Sequence, residues 1–338
     1  NSTVIDVDKL DYLIRDAYIT GFDTVSIDYV RLHQSISLRK EEQKYQIVYK
    51  KGAISVIENV VYAHDAERKW IQNHPIVQYE AYLLQSSIEA LKNKYTNVDL
   101  FSYEALTEDG IEVFENYRIS LLCDADITFL MKNLNNDSAK EYFRRKDRRH
   151  PLWKSEAEYK AIFNIGYTDT IFEIVENALE GLCKYLNFVC QSQEINKAAL
   201  DACKRDMENA QRLLETAETN KEKLEALIVE KGKHLQWLEA LETFANEQKI
   251  DFDFVILKAN QFNSGFAKEA FAKIQIEFDT LSKPCFFEKV TNTLKAEKST
   301  RDKFFYLFYR RINKENKINL RSLAVILGKI ALQEVFDD

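Results

Sequence analysis

Near its start the chain reads "IDVDKLDYLIRDAYITGF", residues 5–22, in which carboxylates, a lysine and tyrosines recur at helical spacing. On a helix, Asp8, Tyr12 and Asp16 fall at i, i+4 and i+8, with Lys9 three residues before Tyr12, so the four share one flank. Leu10, Leu13, Ile14 and Ala17 take much of the opposite side and can face a core. A flank of two carboxylates, an ammonium and a phenol can hold a metal-bridged phosphate. A carboxylate takes the cation, the lysine neutralises phosphate oxygens, and the tyrosine stacks or hydrogen-bonds. The plainer reading makes Asp6 or Asp8 an N-cap and Asp11–Arg15 an i,i+4 pair, with the rest solvated. On spacing alone the plainer reading is the stronger, because charge-rich amphipathic helices are common.

Other residues with chemical potential are more scattered. "SAKEYFRRKDRRHPLWK" carries Arg144, Arg145, Lys146, Arg148, Arg149 and Lys154 around Pro151. It reads either as a phosphate-binding or subunit-contacting patch or as a solvated helix end, and a charge run in isolation favours the second. The dipeptide His64-Asp65 lies inside a helical pattern, where such a neighbour pair is usually incidental. "QFNSGF" (261–266) lacks the Lys-Ser/Thr ending of a phosphate loop. The 5 cysteines form no CxxC pair and are odd in number, which fits free thiols in a reducing cytoplasm better than a disulfide scaffold.

The elements that must carry these residues are expected to be mainly helical. With 8 Gly and 3 Pro in 338 residues, turn signals are too sparse for an all-β fold. Net charge of -7 gives no reason to expect general nucleic-acid affinity. No apolar run approaches the roughly 20 residues of a membrane span, so a cytoplasmic protein is expected. After the opening helix, "TVSIDYVRLHQSISLRKEEQ" reads as a connecting helix or loop, and "KYQIVYKKG" as a strand and turn. A long helical stretch from Ala53 to about Lys94 is broken or kinked at Pro75. Residues 101–134 read as helix-turn-helix around "EDG". From Glu194 to Asn246 an interrupted heptad pattern predicts a long antiparallel helical hairpin turning near "ETAETNKEK". "DFDFVILKA" and "AKIQIEF" alternate like strands, with helices expected around 285–296 and 319–336.

"IDVDKLDYLIRDAYITGF" followed by "DYVRL" resembles the second half of the catalytic domain in HD-superfamily deoxynucleoside triphosphate triphosphohydrolases. That group includes the dGTPases and the vertebrate SAM-and-HD-domain enzyme. The resemblance continues through "YQIVYKKGAISVIENVVYAHDAERKWIQNHP" and "CDADITFLMKN" and covers roughly residues 1–165. It implies an HD-type helical catalytic portion at 1–165, a helical segment with the long hairpin at 166–249, and a small α/β appendage at 250–338.

The resemblance also assigns roles. Asp8 corresponds to the last protein ligand of a divalent metal. Lys9 and Tyr12 correspond to residues approaching the triphosphate and sugar, and Asp16 to one at the sugar's 3′-hydroxyl. "ERKWIQNH" makes Lys69 a phosphate candidate and Gln72 a sugar candidate, although Ile71 stands where relatives carry a tyrosine. The family's His and His-Asp metal donors precede the opening helix, yet none of His33, His64, His74, His150 and His234 precedes Asp8. One carboxylate does not hold a metal firmly. The sequence is therefore expected to be a C-terminal piece of a longer protein whose other half supplies the remaining donors and the general acid. The implied activity is hydrolysis of dNTPs to deoxynucleoside and triphosphate in a homo-oligomer. The alternatives are a nucleotide-responsive regulatory protein, or an HD phosphohydrolase of another phosphate ester or an oligonucleotide.

Overall fold

The computed structural model describes residues 5–22, 26–41, 44–96, 99–114, 117–145, 148–164, 167–216, 221–259, 273–291, 304–311 and 317–337, and these are mainly helical with small sheets. Two compact units divide the chain, one of Asn1–His74 with Ala259–Phe304 and one of Pro75–Lys258 with Phe305–Asp338.

In the first unit, α1 (Val7–Thr20) begins where the Asp6 side chain accepts the Lys9 backbone N–H at 2.8 Å. It ends at Gly21, whose φ of 72° is a left-handed cap that a β-carbon would strain. The short α2 (Tyr29–Gln34) leads into β1 (Ile36–Glu41), which pairs antiparallel with β2 (Lys44–Lys50). The stretch expected to be a connecting helix or loop thus holds the short helix α2 and, unexpectedly, the strand β1. Its alternation was easy to miss because Ile36 and Leu38 stay exposed, so no buried face marks the period. Next, α3 (Ile54–Glu67) buries Val56, Ile57, Val60 and Val61 against Leu13 and Leu32. Residues Arg68–Gln72 then widen into a π-helical turn before Pro75, where the sequence placed a break.

In the second unit, α4 (Pro75–Lys94) precedes a hairpin of β3 (Ile111–Phe114) and β4 (Tyr117–Ile119). This corrects the expected helix-turn-helix over 101–134. Gly110, at φ 63°, lies against Ile119, and a β-carbon there would sit 2.2 Å from the Ile119 carbonyl oxygen. Val113 and Ile119 point inward from the hairpin, and only the second expected helix forms, as α5 (Asp124–Lys132). After α6 (Asp137–Arg144) and the two-residue β5 (His150–Pro151) come α7 (Glu156–Asn164), α8 (Asp169–Tyr185) and β6 (Glu194–Asn196). The expected hairpin is present as α9 (Lys197–Thr216) and α10 (Lys221–Gln248), followed by β7 (Asp253–Lys258).

The chain then contributes β8 (Gln275–Glu277) and β9 (Cys285–Phe286) to the first unit, giving a sheet ordered β1-β2-β8-β9. Finally β10 (Phe305–Tyr309), buried along its whole length, completes the second unit's sheet β5-β10-β7-β6 ahead of α11 (Leu320–Asp337). Residues 250–338 are therefore divided between two units, and the boundaries differ from the expected 1–165, 166–249 and 250–338. The reason is strand pairing: β8 finds its partner in β2 and β10 in β7, pairings that local periodicity does not encode. Where a helix was expected around 285–296, a strand and the single turn Phe287–Lys289 occur, and residues 292–296 lie outside the described residues.

The basic run fits the solvated helix end at Arg144 and Arg145 and departs from both expected readings at Arg148 and Arg149. Arg149 is buried, with its Nη2 2.6 Å from Asp253 and 3.3 Å from Glu194, and Arg148 lies 2.8 Å from Glu80. The acids come from β7, β6 and α4, far apart in sequence, so a local charge count could not reveal the pairing. Arg144, Arg145 and Lys154 are exposed, and Lys146 lies outside the described residues.

Candidate functional site

The polar flank of α1 divides by depth. Asp8 is exposed, whereas Lys9, Tyr12 and Asp16 are half-buried. Leu13 and Ala17 on the other side are buried, which fixes the rotation of the helix. The plainer reading of this helix holds in part: Asp6 is the cap and lies 3.2 Å from the Lys9 ammonium, and Arg15 reaches Asp11 at 2.6 Å.

Opposite this flank stand the end of α3 and the π-helical turn. Burial raises the Tyr12 pKa, and the carboxylates of Glu67, Asp6 and Asp16 add to the effect. Glu67 is likewise raised, first by burial and also by Asp16, while the hydrogen bond from Gln72 opposes the shift. That bond runs from Gln72 Nε2 to Glu67 Oε1 at 3.0 Å. Burial lowers His64, Asp65 opposes this, and the charges of Arg68 and Lys9 lower it further. Lys9, Tyr12, Asp16 and Gln72 thus share one electrostatic neighbourhood with His64, Glu67 and Arg68. Lys69 is exposed and stands over the Trp70 ring, 5.4 Å from its centroid, with Phe22 6.4 Å from the same ring.

The neighbourhood holds charges of both signs. Lys9, paired with Asp6 at 3.2 Å, and Arg68, paired with Asp65 at 3.0 Å, suit phosphate oxygens, while the carboxylates of Glu67 and Asp16 suit hydrogen-bond donors. Among the described residues no three His, Cys, Asp or Glu side chains group in a way that could hold a metal ion. Asp8 fits one ligand of such a centre, not a centre. A separate, mostly apolar groove of about 690 Å³ runs along the other flank of α1, past Leu10, Ile14, Tyr29 and Tyr49.

Sequence reasoning missed Glu67 and the neighbourhood role of His64. Glu67 precedes the candidate segment and looks like one more charge on a helix. Its burial follows from the rotation of α3, whose apolar positions are legible, so that signal was available. The π-helical turn that brings Gln72 to it had no sequence mark.

No family model matches the chain. An uncharacterized protein of Methanocaldococcus jannaschii is 28% identical over 133 residues, 38% of this chain and 29% of that protein. An uncharacterized protein of Mycoplasma genitalium is 34% identical over 58 residues, 17% of this chain and 14% of that protein. Among solved structures, a hypothetical protein from Aquifex aeolicus aligns at TM-score 0.43 and 14% identity, over 95% of this chain and 56% of that one. A phosphohydrolase from Bacteroides thetaiotaomicron aligns at TM-score 0.38 and 15% identity, over 92% of this chain and 62% of that one. The alignments span less than a third of each curated relative and less than two thirds of each solved chain. Similarity at this level assigns neither a fold family nor an activity. Among the described residues no helix is long and apolar enough to cross a membrane.

Proposed function

We propose that this chain forms the nucleotide-holding side of a metal-dependent phosphohydrolase that converts dNTPs to deoxynucleoside and triphosphate. The observation that supports this reading is the convergence of Lys9, Tyr12 and Asp16 with Gln72 in one polar neighbourhood, within a stretch that resembles the HD-superfamily triphosphohydrolases. In this reading Lys9 neutralises phosphate oxygens, aided by Lys69. Tyr12, Asp16 and Gln72 orient the sugar by hydrogen bonds. A bound divalent cation would polarise the phosphate. The described residues offer it only the Asp8 carboxylate, so the other donors of the proposal lie beyond them.

The test is triphosphate release from each dNTP by the full-length protein with added metal, beside Asp8→Ala and Lys9→Ala. Loss of release in both variants is expected; unchanged turnover in Asp8→Ala overturns the metal assignment. Homo-oligomer formation is part of the same proposal, and solution mass with and without dNTPs tests it.

A second reading, a nucleotide-responsive regulatory protein, is favoured by the exposure of Asp8 and the lack of a three-donor group among the described residues. It predicts dNTP binding without release of triphosphate under any metal. Turnover of another phosphate ester or an oligonucleotide in preference to dNTPs would keep the hydrolase and replace its substrate.

A further inference from the structure

Glu67 is 5% exposed and sits at the last position of α3. Its Oε1 accepts from Gln72 Nε2 at 3.0 Å, whereas its Oε2 is shut off from solvent and has no hydrogen-bond partner. Buried polar atoms are nearly always paired, so an unpaired carboxylate oxygen calls for an explanation. A purely structural staple between positions 67 and 72 would need one acceptor oxygen only. The second oxygen is surplus to the fold.

The backbone directly after Glu67 points the same way. In an α-helix, residues five apart differ by about 140° around the axis and do not meet. Here Arg68–Gln72 form a π-helical turn, closed by the Asn73 N–H donating to the Arg68 carbonyl oxygen at 2.8 Å. The wider turn brings residues 67 and 72 together, and such bulges recur at functional sites. The surroundings then select the kind of ligand group. The charge of Asp16 acts on Glu67, so the two carboxylates together disfavour a phosphate oxygen at this position. A neutral donor suits the acidic side, and a cation would find too few ligands there.

We infer that Glu67 is a specificity-determining residue of this site, its unpaired Oε2 accepting a hydrogen bond from a pentose hydroxyl of the bound nucleotide while Gln72 holds its other oxygen. The inference rests on the nucleotide reading above and adds to it the group that reads the sugar. No proton is transferred and no bond is broken; the hydroxyl donates and the carboxylate accepts.

The experiment is calorimetric titration of the full-length protein with a ribonucleoside, a 2′-deoxynucleoside and a 2′,3′-dideoxynucleoside triphosphate of one base, and with inorganic triphosphate. The wild type is expected to bind at least one hydroxyl-bearing nucleotide about tenfold or more tighter than the dideoxy compound. In Glu67→Met that ratio is expected to fall to about one while triphosphate affinity stays within about twofold. Glu67→Gln, which keeps an acceptor for Gln72 but loses the charge, is expected to reduce the ratio part-way, and it serves if the Met variant fails to fold. Equal binding of all three nucleotides by the wild type, or an unchanged ratio in a folded variant, overturns the inference and leaves the nucleotide reading standing. If neither nucleotides nor triphosphate bind the wild type, the nucleotide reading falls, and the inference with it.

Discussion

Each unit contains a buried or half-buried polar cluster, and the two differ in how completely their carboxylates are paired. In the second unit Glu141 Oε1 accepts from Tyr79 at 2.7 Å and from the Arg149 backbone N–H at 3.1 Å, and its Oε2 lies 3.4 Å from Arg310. Asp253 binds Arg149 through one oxygen and Arg310 through the other, and Tyr82 donates to Glu194 at 3.0 Å. The carboxylates of Glu141 and Asp253 are used on both oxygens, which describes a structural clamp joining α4, α6, β6, β7 and β10. In the first unit Glu67 is as deeply buried as Glu141 yet uses one oxygen. Carboxylates used on both oxygens stabilise a fold, whereas one with an oxygen left open has a valence to offer a ligand.

The contrast can be broken at several points. Arg149→Ala leaves Glu194 and Asp253 without their shared cation and is expected to remove about 3–5 kcal/mol of stability, read as a lower urea midpoint. Its nucleotide discrimination, where the fold survives, should match the wild type; a mild effect on stability would show the clamp to be dispensable. Lys9→Ala is expected to weaken triphosphate binding roughly tenfold to a hundredfold, the value of a hydrogen bond to a charged group, with a much smaller change in urea midpoint. Should Arg149→Ala weaken binding as much as Lys9→Ala does, the division of labour between the clusters would be wrong. Gly110→Ala probes the second unit without touching its polar cluster. The left-handed backbone and the contact with Ile119 are expected to remove at least about 1–2 kcal/mol, measured by thermal unfolding.

The smallest expected effect concerns protonation of Glu67. Burial, aided by the Asp16 charge and opposed by the Gln72 hydrogen bond, raises its pKa from the usual 4.5, so ionising it costs more in the folded state than in the unfolded one. The contribution of a group shifted in this direction is fully present below the unfolded-state pKa and lost as pH rises through the folded value. Wild type should therefore lose stability relative to Glu67→Gln as pH rises above the ordinary glutamate pKa of about 4.3, as seen in paired denaturation curves. A pH-independent difference would mean that the carboxylate is not penalised, and the contrast with Glu141 would lose its basis.

Legibility in the sequence followed the range of the interaction. The opening helix, the α9–α10 hairpin, the break before Pro75 and the strand at β7 were readable because each is set by neighbours within a turn or two. The β3–β4 hairpin was misread as helical, although Gly110 before alternating Ile111 and Val113 was a usable sign. For the site, the shared flank of Lys9, Tyr12 and Asp16 was visible from spacing. Their meeting with Gln72 was available only through resemblance, and Glu67 was not singled out at all.

The sequence alone determined the helical character of the chain, the capped and amphipathic opening helix, and the presence on one flank of it of a lysine, a tyrosine and carboxylates. These follow from caps and periodicity, which act over a few residues. Only the tertiary structure decided that Arg149 is a buried clamp instead of a surface patch, that residues 250–338 serve two units, and that Glu67 is buried with one oxygen unpaired. Each of these depends on strand partners, helix rotation or a π-helical turn that bring together residues from separate elements, and a local pattern holds no record of which ones will meet.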